Sequence, residues 1–169
     1  MRLRDFLTSK LERLMPDKTL LPSGFHLVGH VALLTLNSSL MQYSTSIGDA
    51  ILEFDHRVKT VAVRIGPTYG VERHPVYKIV SGDCNTVTTH IENGIKFRLD
   101  PIRLTFSGGN KKERIDLPKK VKPSEKVVDM FSCVGQFSLH IAKVQDTKII
   151  AIEINPEAYG FLIENIHIN

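Results

Sequence analysis

Apolar residues recur at helical spacing over the first fourteen positions, with Leu3, Phe6, Leu7, Leu11 and Leu14 falling on one face. Pro16 is expected to end that helix, because its ring blocks the next turn. Residues 25–36 are a dense apolar run and read as one strand bent at Gly29. Residues 39–55 return to helical spacing, with Ser38 or Ser39 as N-cap. Val58–Ile65 alternates apolar and polar, the pattern of a strand. Residues 66–83 hold Gly66, Pro67, Gly70, Pro75 and Gly82, so a mobile loop is expected there. Two strand-like runs, 85–91 and 95–100, flank Glu92-Asn93-Gly94. Asn-Gly is the strongest short hairpin signal, because both residues tolerate positive φ. A third short strand is expected over Arg103–Phe106, then a charged helix over 111–120 that stops at Pro118.

From residue 126 the pattern changes. Lys126–Phe131 reads as a short apolar strand, Ser132–Gly135 as a tight loop and Gln136–Val144 as a helix. Lys148–Glu153 reads as a second apolar strand and Pro156–Ile168 as a second helix. A β-α-β-α run opens a parallel, doubly wound sheet, whose helices must cover both faces. The expected class is therefore α/β. A small N-terminal α+β domain occupies 1–80, and a β-hairpin and linker segment with a basic helix occupies 81–122. The first βαβα of a Rossmann-like domain occupies 123–169, and that domain is expected to be incomplete.

Composition adds exclusions. No stretch of eighteen apolar residues occurs in the 169, so no membrane span is expected. Met1-Arg2-Leu3-Arg4-Asp5 does not open a secretory signal. Cys84 and Cys133 lie far apart and the seven histidines lack ligand spacing. A reduced, cytoplasmic protein with no disulfide and no metal is expected. The net charge of +4 is unevenly placed: residues 57–126 hold 15 Lys/Arg against 7 Asp/Glu, and residues 127–169 hold 2 against 5. A basic middle is either a seat for a polyanion or a solvated lysine-rich surface.

The densest chemistry lies in Val128-Asp129-Met130-Phe131-Ser132-Cys133-Val134-Gly135-Gln136-Phe137. A strand running through a tight loop into a helix turns backbone N–H groups toward a ligand, and Gly135 permits close approach. Asp129 is placed to fix the loop by hydrogen bonds. Eighteen residues beyond Gly135, Glu153 ends the next strand, where a carboxylate accepts hydrogen bonds from both hydroxyls of a ribose. The loop carries one glycine rather than the dinucleotide fingerprint. That favours a cofactor without a pyrophosphate, and S-adenosyl-L-methionine is the commonest on this fold. An NAD-dependent enzyme and a βαβ unit that binds nothing are the alternatives. Cys133 reads as a small side chain filling the loop rather than a nucleophile, since no histidine stands in a paired position.

Several segments together resemble one family: residues 90–100, Phe106-Ser107-Gly108-Gly109-Asn110 with Glu113-Arg114, Asp129-Met130-Phe131, Ala151-Ile152-Glu153, and Glu164-Asn165-Ile166-His167-Ile168-Asn169. It is the archaeal and eukaryotic family that modifies the guanosine-derived base at position 37 of tRNA, on a class I S-adenosylmethionine-dependent methyltransferase fold. One branch is the tRNA guanine-N1 methyltransferase. The other moves the 3-amino-3-carboxypropyl group in the wybutosine pathway. The methyltransferase branch tends to carry Pro-Arg after Phe-Ser, whereas Gly108-Gly109 is more similar to the aminocarboxypropyl branch.

The resemblance implies that Ser107 and Arg114 contact the methionine part of S-adenosylmethionine, and that Glu153 binds its ribose. It also implies that Asp129, Phe131 and Gly135 belong to the same site. Glu113 matches a proton acceptor of the methyltransferase branch, or else pairs with a neighbouring Lys or Arg. Lys111, Lys112, Lys119, Lys120 and Lys122 are candidates for tRNA phosphates. Ser132-Cys133 departs from the usual Ala-Gly. The family's later strands and its Asn-Pro-Pro segment do not occur in these 169 residues. The chain is thus expected to carry the front half of a transferase, or to be a non-catalytic tRNA-binding fragment.

Overall fold

The computed structural model describes residues 1–14 and 18–169; Pro16, with the expected helix stop, lies outside the described residues. Helix α1 spans Leu3–Lys10 and buries Leu3 and Leu7, with Leu11 buried just beyond it. Leu14, expected on the same face, is exposed because the helix has already ended.

The expected bent strand over 25–36 is instead a hairpin. Strand β1 (His26–Val28) pairs antiparallel with β2 (Val31–Leu34) across a two-residue turn at Gly29-His30. Gly29 has φ +58, and a Cβ there would overlap the Thr88 hydroxyl, so glycine is required twice over. That hydroxyl accepts from the His30 N–H at 3.1 Å, and His90 Nδ1 accepts from the Gly29 N–H at 3.3 Å.

A 3₁₀ turn over Ser38–Tyr43 precedes α2 (Ser44–Phe54), so the expected single helix is two pieces. Its cap is Asn37, whose side chain accepts from the Ser39 N–H at 3.1 Å, rather than Ser38 or Ser39.

The expected mobile loop over 66–83 is also overturned. Strand β3 runs through it from Thr60 to Tyr69, and β4 (His74–Gly82) returns antiparallel. Gly66 and Pro67 sit where the register shifts, and Pro75 lies on the sheet's edge strand. At a bulge or an edge, a missing N–H or side chain costs little of the ladder. The sheet order is β1-β2-β3-β4, with β2 and β3 parallel. Alternation divides its residues between two cores. Ala32, Leu34, Val61 and Val63 pack with α1 and α2, while Val31, Leu33 and Ala62 pack on the opposite side.

That opposite side meets a second hairpin, β5 (Thr88–Glu92) and β6 (Ile95–Leu99), which turns at Asn93-Gly94 as expected. Ile95, Phe97 and Leu99 point inward, while Lys96 and Arg98 face solvent. No strand forms over Arg103–Phe106. The chain turns back there on an Asp100 carbonyl that accepts from the Leu104 N–H at 2.8 Å, burying Leu104 and Phe106. The basic stretch becomes α3 (Lys111–Asp116) and a 3₁₀ turn over Leu117–Lys120 that contains Pro118.

Strands β7 (Lys126–Asp129) and β8 (Lys148–Ala151) pair in parallel, joined by α4 (Ser138–Val144) and followed by α5 (Pro156–Ile168). Both strands are shorter than expected, because the chain leaves the ladder at Met130 and Ile152 to form the loops. Two asparagines four residues apart, Asn165 on α5 and Asn169 at its C-cap, close the outer edge of β6. Asn165 accepts from the Arg98 N–H at 2.7 Å and donates to the Arg98 carbonyl at 3.0 Å. Asn169 accepts from the Lys96 N–H and donates to its carbonyl, both at 2.8 Å. Their amides thus replace a neighbouring strand and satisfy an edge that would otherwise be open.

Candidate functional site

A cleft of about 410 Å³ opens beyond the carboxyl ends of β7 and β8. That is where a doubly wound sheet binds ligands, because strand ends and helix starts diverge there. Thr105, Ser107 and Asn110 form one wall, and Glu153 and Asn155 another. The turn from Phe131 to Phe137 is the floor. Val71, Glu72 and Arg73, the tip of the β3–β4 ribbon, reach over from the N-terminal sheet. The tip is pinned there: its Glu72 carbonyl accepts from Asn155 Nδ2 at 3.3 Å, and its Arg73 carbonyl accepts from the Thr105 hydroxyl at 3.4 Å.

Three of the residues expected in the cofactor site line this cleft, Ser107, Phe131 and Glu153, and Cys133 lies among them. Phe131 is 84% exposed and presents an apolar ring. Glu153 binds the protein on both oxygens: Oε2 accepts from the Cys133 N–H at 2.7 Å and Oε1 from the Asn155 N–H at 2.8 Å. Each oxygen has a second lone pair for a ligand hydroxyl. Cys133 takes φ +49 in the turn. Its thiol is pushed up to about 11, first by burial and further by the Glu153 charge. It is therefore a thiol at neutral pH, with little nucleophilic character.

The remaining residues stand elsewhere. Asp129 accepts from the Ser138 hydroxyl at 2.6 Å and so joins the end of β7 to the start of α4. Gly135, at φ +90, is buried; a Cβ there would press on Leu139 and Leu162 at 3.0 Å, so the close approach it permits is to the protein's own leucines. Glu113 is exposed on α3. Arg114 is wholly buried, and its fork grips a carboxylate of the protein: Nε and Nη2 donate to the two oxygens of Glu92 at 2.7 and 2.9 Å. Lys111, Lys112, Lys119, Lys120 and Lys122 are exposed along α3 and the segment after it. Lys119 pairs with Asp116 at 2.7 Å.

Sequence reasoning missed Glu92, Gln136, Asn155 and Arg73. Glu92 had a signal: it occupies an inward position of an alternating strand, and a charge there demands a partner. Arg73 had none, since its ribbon read as a loop.

A model of the TYW2 N-terminal domain matches residues 3–86, and a model of the TRM5/TYW2 methyltransferase domain matches residues 88–169. The chain belongs to the TRM5/TYW2 family. The tRNA(Phe) (4-demethylwyosine(37)-C(7)) aminocarboxypropyltransferase of Pyrococcus horikoshii is 43% identical over 168 residues, covering 99% of this chain and 59% of that protein. The tRNA (guanine(37)-N(1))-methyltransferase Trm5b of Pyrococcus abyssi is 36% identical over 149 residues, covering 88% of this chain and 45% of that one. The crystal structure of P. horikoshii TYW2 in complex with MeSAdo superposes with a TM-score of 0.79 at 39% identity, covering 98% of this chain and 59% of that one. The chain thus spans roughly half to three-fifths of these TRM5/TYW2 relatives. Its α/β fold is theirs over the shared length.

Proposed function

We propose that the cleft binds S-adenosylmethionine and that the chain serves the transfer of a 3-amino-3-carboxypropyl group to the modified guanosine at position 37 of tRNA. The observation that carries the reading is the placement of Glu153, Phe131 and Ser107 around one cleft at the ends of two parallel strands. The cleft's volume suits a nucleoside. When bound, the cofactor supplies a sulfonium that makes its attached carbons electrophilic. The chain's part is to bind and aim. Glu153 accepts the ribose hydroxyls, and Phe131 shields them from water. Gly109 leaves open space beside Ser107, where a Cβ would meet only the Ser107 hydroxyl at 3.9 Å, and the amino-acid tail would use that room to turn its γ-carbon toward the base. The 43% identity to the P. horikoshii aminocarboxypropyltransferase supports this branch.

Lys111, Lys112, Lys120 and Lys122, with Arg73 at the cleft's lip, are proposed to hold tRNA phosphates. The work on tRNA would then be cytoplasmic. A Rossmann-like unit from residue 123 would hold the cofactor together with the wall of Thr105, Ser107 and Asn110, and the outer surface of 1–80 and of the 81–122 segment would meet the RNA.

A second reading, guanine-N1 methylation with Glu113 taking the proton, has in its favour that Glu113 is exposed and free to meet substrate. Calorimetric titration of the chain with S-adenosylmethionine is expected to show binding that weakens roughly 10- to 100-fold in Glu153→Ala, the worth of charge-assisted hydrogen bonds. With tRNA added, methylthioadenosine is the expected product. Release of S-adenosylhomocysteine instead would establish the methyltransferase reading.

A further inference from the structure

Arg114 heads the large side chains that have no exposed surface. A guanidinium so placed must have all its neighbours arranged for it. Two of its nitrogens bind Glu92, which is 4% exposed. The third, Nη1, donates to the Ser107 carbonyl at 2.8 Å and to Gln136 Oε1 at 3.3 Å. Gln136 Nε2 then donates to the Thr105 carbonyl at 3.1 Å. The Phe106 ring lies 5.1 Å from the guanidinium carbon. His140 closes the far side: its ring stacks on Phe97, Nδ1 donates to the Gln136 carbonyl at 2.7 Å, and Nε2 stands 3.6 Å from Glu92.

The connections have a direction. Thr105, Ser107 and Gln136 line the cleft, while Arg114 and Glu92 lie behind it. Glu92 sits at the end of a paired strand, so the anchor is rigid. From there, one cation holds the 105–107 wall and ties it to the 132–136 turn. We infer that Arg114 and Glu92 are positioning residues, linked through Gln136, which set the spacing between one wall of the cleft and its floor and touch no part of the ligand. This rests on the cofactor reading above. It departs from a role for Arg114 as the grip on the methionine carboxylate.

The two roles separate with a pair of probes. S-Adenosylmethionine has the carboxylate and 5′-methylthioadenosine lacks it. Both are titrated into the whole chain, unaltered and as Arg114→Lys and Glu92→Gln. A misplaced wall or floor weakens both ligands by about the same factor, roughly tenfold or more, leaving the ratio of the two affinities unchanged. Arg114→Lys that weakens S-adenosylmethionine and spares methylthioadenosine would overturn the inference, as would Glu92→Gln that alters neither.

Should the ion-pair variants fail to fold, Gln136→Ala leaves that pair whole and is read without ligand. Amide hydrogen exchange over 105–110 should rise severalfold, with exchange in β5 and β6 unchanged. Unchanged exchange over 105–110 would overturn the positioning role. Unaltered chain that binds neither probe would instead sink the cofactor reading, and the exchange result would still decide the positioning role.

Discussion

Three histidines surround the Arg114–Glu92 pair. His26 lies against Gly108, His90 has its ring 5.0 Å from Phe106, and His140 stacks on Phe97. Burial holds all three below the ordinary 6.5; the charge of Arg114 adds to this, and Glu92 opposes it. In the unfolded chain each ring takes its proton near 6.5, whereas in the native protein it does so only at lower pH. The unfolded state therefore binds more protons across that interval, and stability falls as pH drops below 6.5. For Glu92, burial works to raise the carboxyl, but the hydrogen bonds and charge of Arg114, with smaller help from His140 and His90, hold it below 4.5. Its stabilising contribution is present above 4.5 and is lost only as pH falls through the depressed native value. Acid loss should thus begin with the histidines. Denaturant midpoints measured from about pH 7.5 down to 5.5 are expected to decline steadily, and less so in His140→Gln. A flat profile would show that the rings gain protons equally in both states. None of this was legible from the sequence, where the seven histidines are scattered. Proximity to one buried cation is a property of the fold.

At the scale of elements, the hairpin β5–β6 depends on a helix far along the chain. Asn165 is completely buried and also donates to the Val134 carbonyl at 3.0 Å. Asn165→Ala leaves several backbone groups unpaired and is expected to cost about 2–4 kcal/mol of unfolding free energy. Asn165→Asp should be nearly as costly, because it removes the donors and sets a carboxylate against two carbonyls. Chemical denaturation checks both; a loss under about 0.5 kcal/mol would mean water replaces the amide without penalty. The Asn-Gly turn and α5 were readable because their signals are local. The β3–β4 ribbon was not, since glycines and prolines that mark loops are equally at home on bulges and edges. Only the pairing partner distinguishes the two.

For the whole molecule, charge and apolar surface occupy different places. The exposed lysines cluster along α3 and the segment after it. Val128, Met130, Phe131, Ile150, Ile152 and Ile154 are more than 45% exposed around β7 and β8. If three lysines meet phosphates, tRNA affinity should fall about 20- to 40-fold between roughly 50 and 200 mM salt. Replacing Lys111, Lys112 and Lys120 by Ala should flatten that dependence in a filter-binding assay. Lys119 matters less, as its ion pair with Asp116 already offsets its charge. Affinity independent of salt would remove the lysine surface from the interface.

Hydrophobic period, turn residues and charge placement determined most elements, the parallel βαβα unit, the basic middle and the acid at the end of the second strand. These are legible because each depends on neighbours within a few residues. The tertiary structure decided which polar groups meet. It brought Glu92, Arg114 and Gln136 from three segments into one buried network. It turned Gly135 toward leucines and carried Arg73 from the N-terminal sheet to the cleft. Such contacts are set by the packing of whole layers, in which a buried charge finds its partner wherever the fold places one.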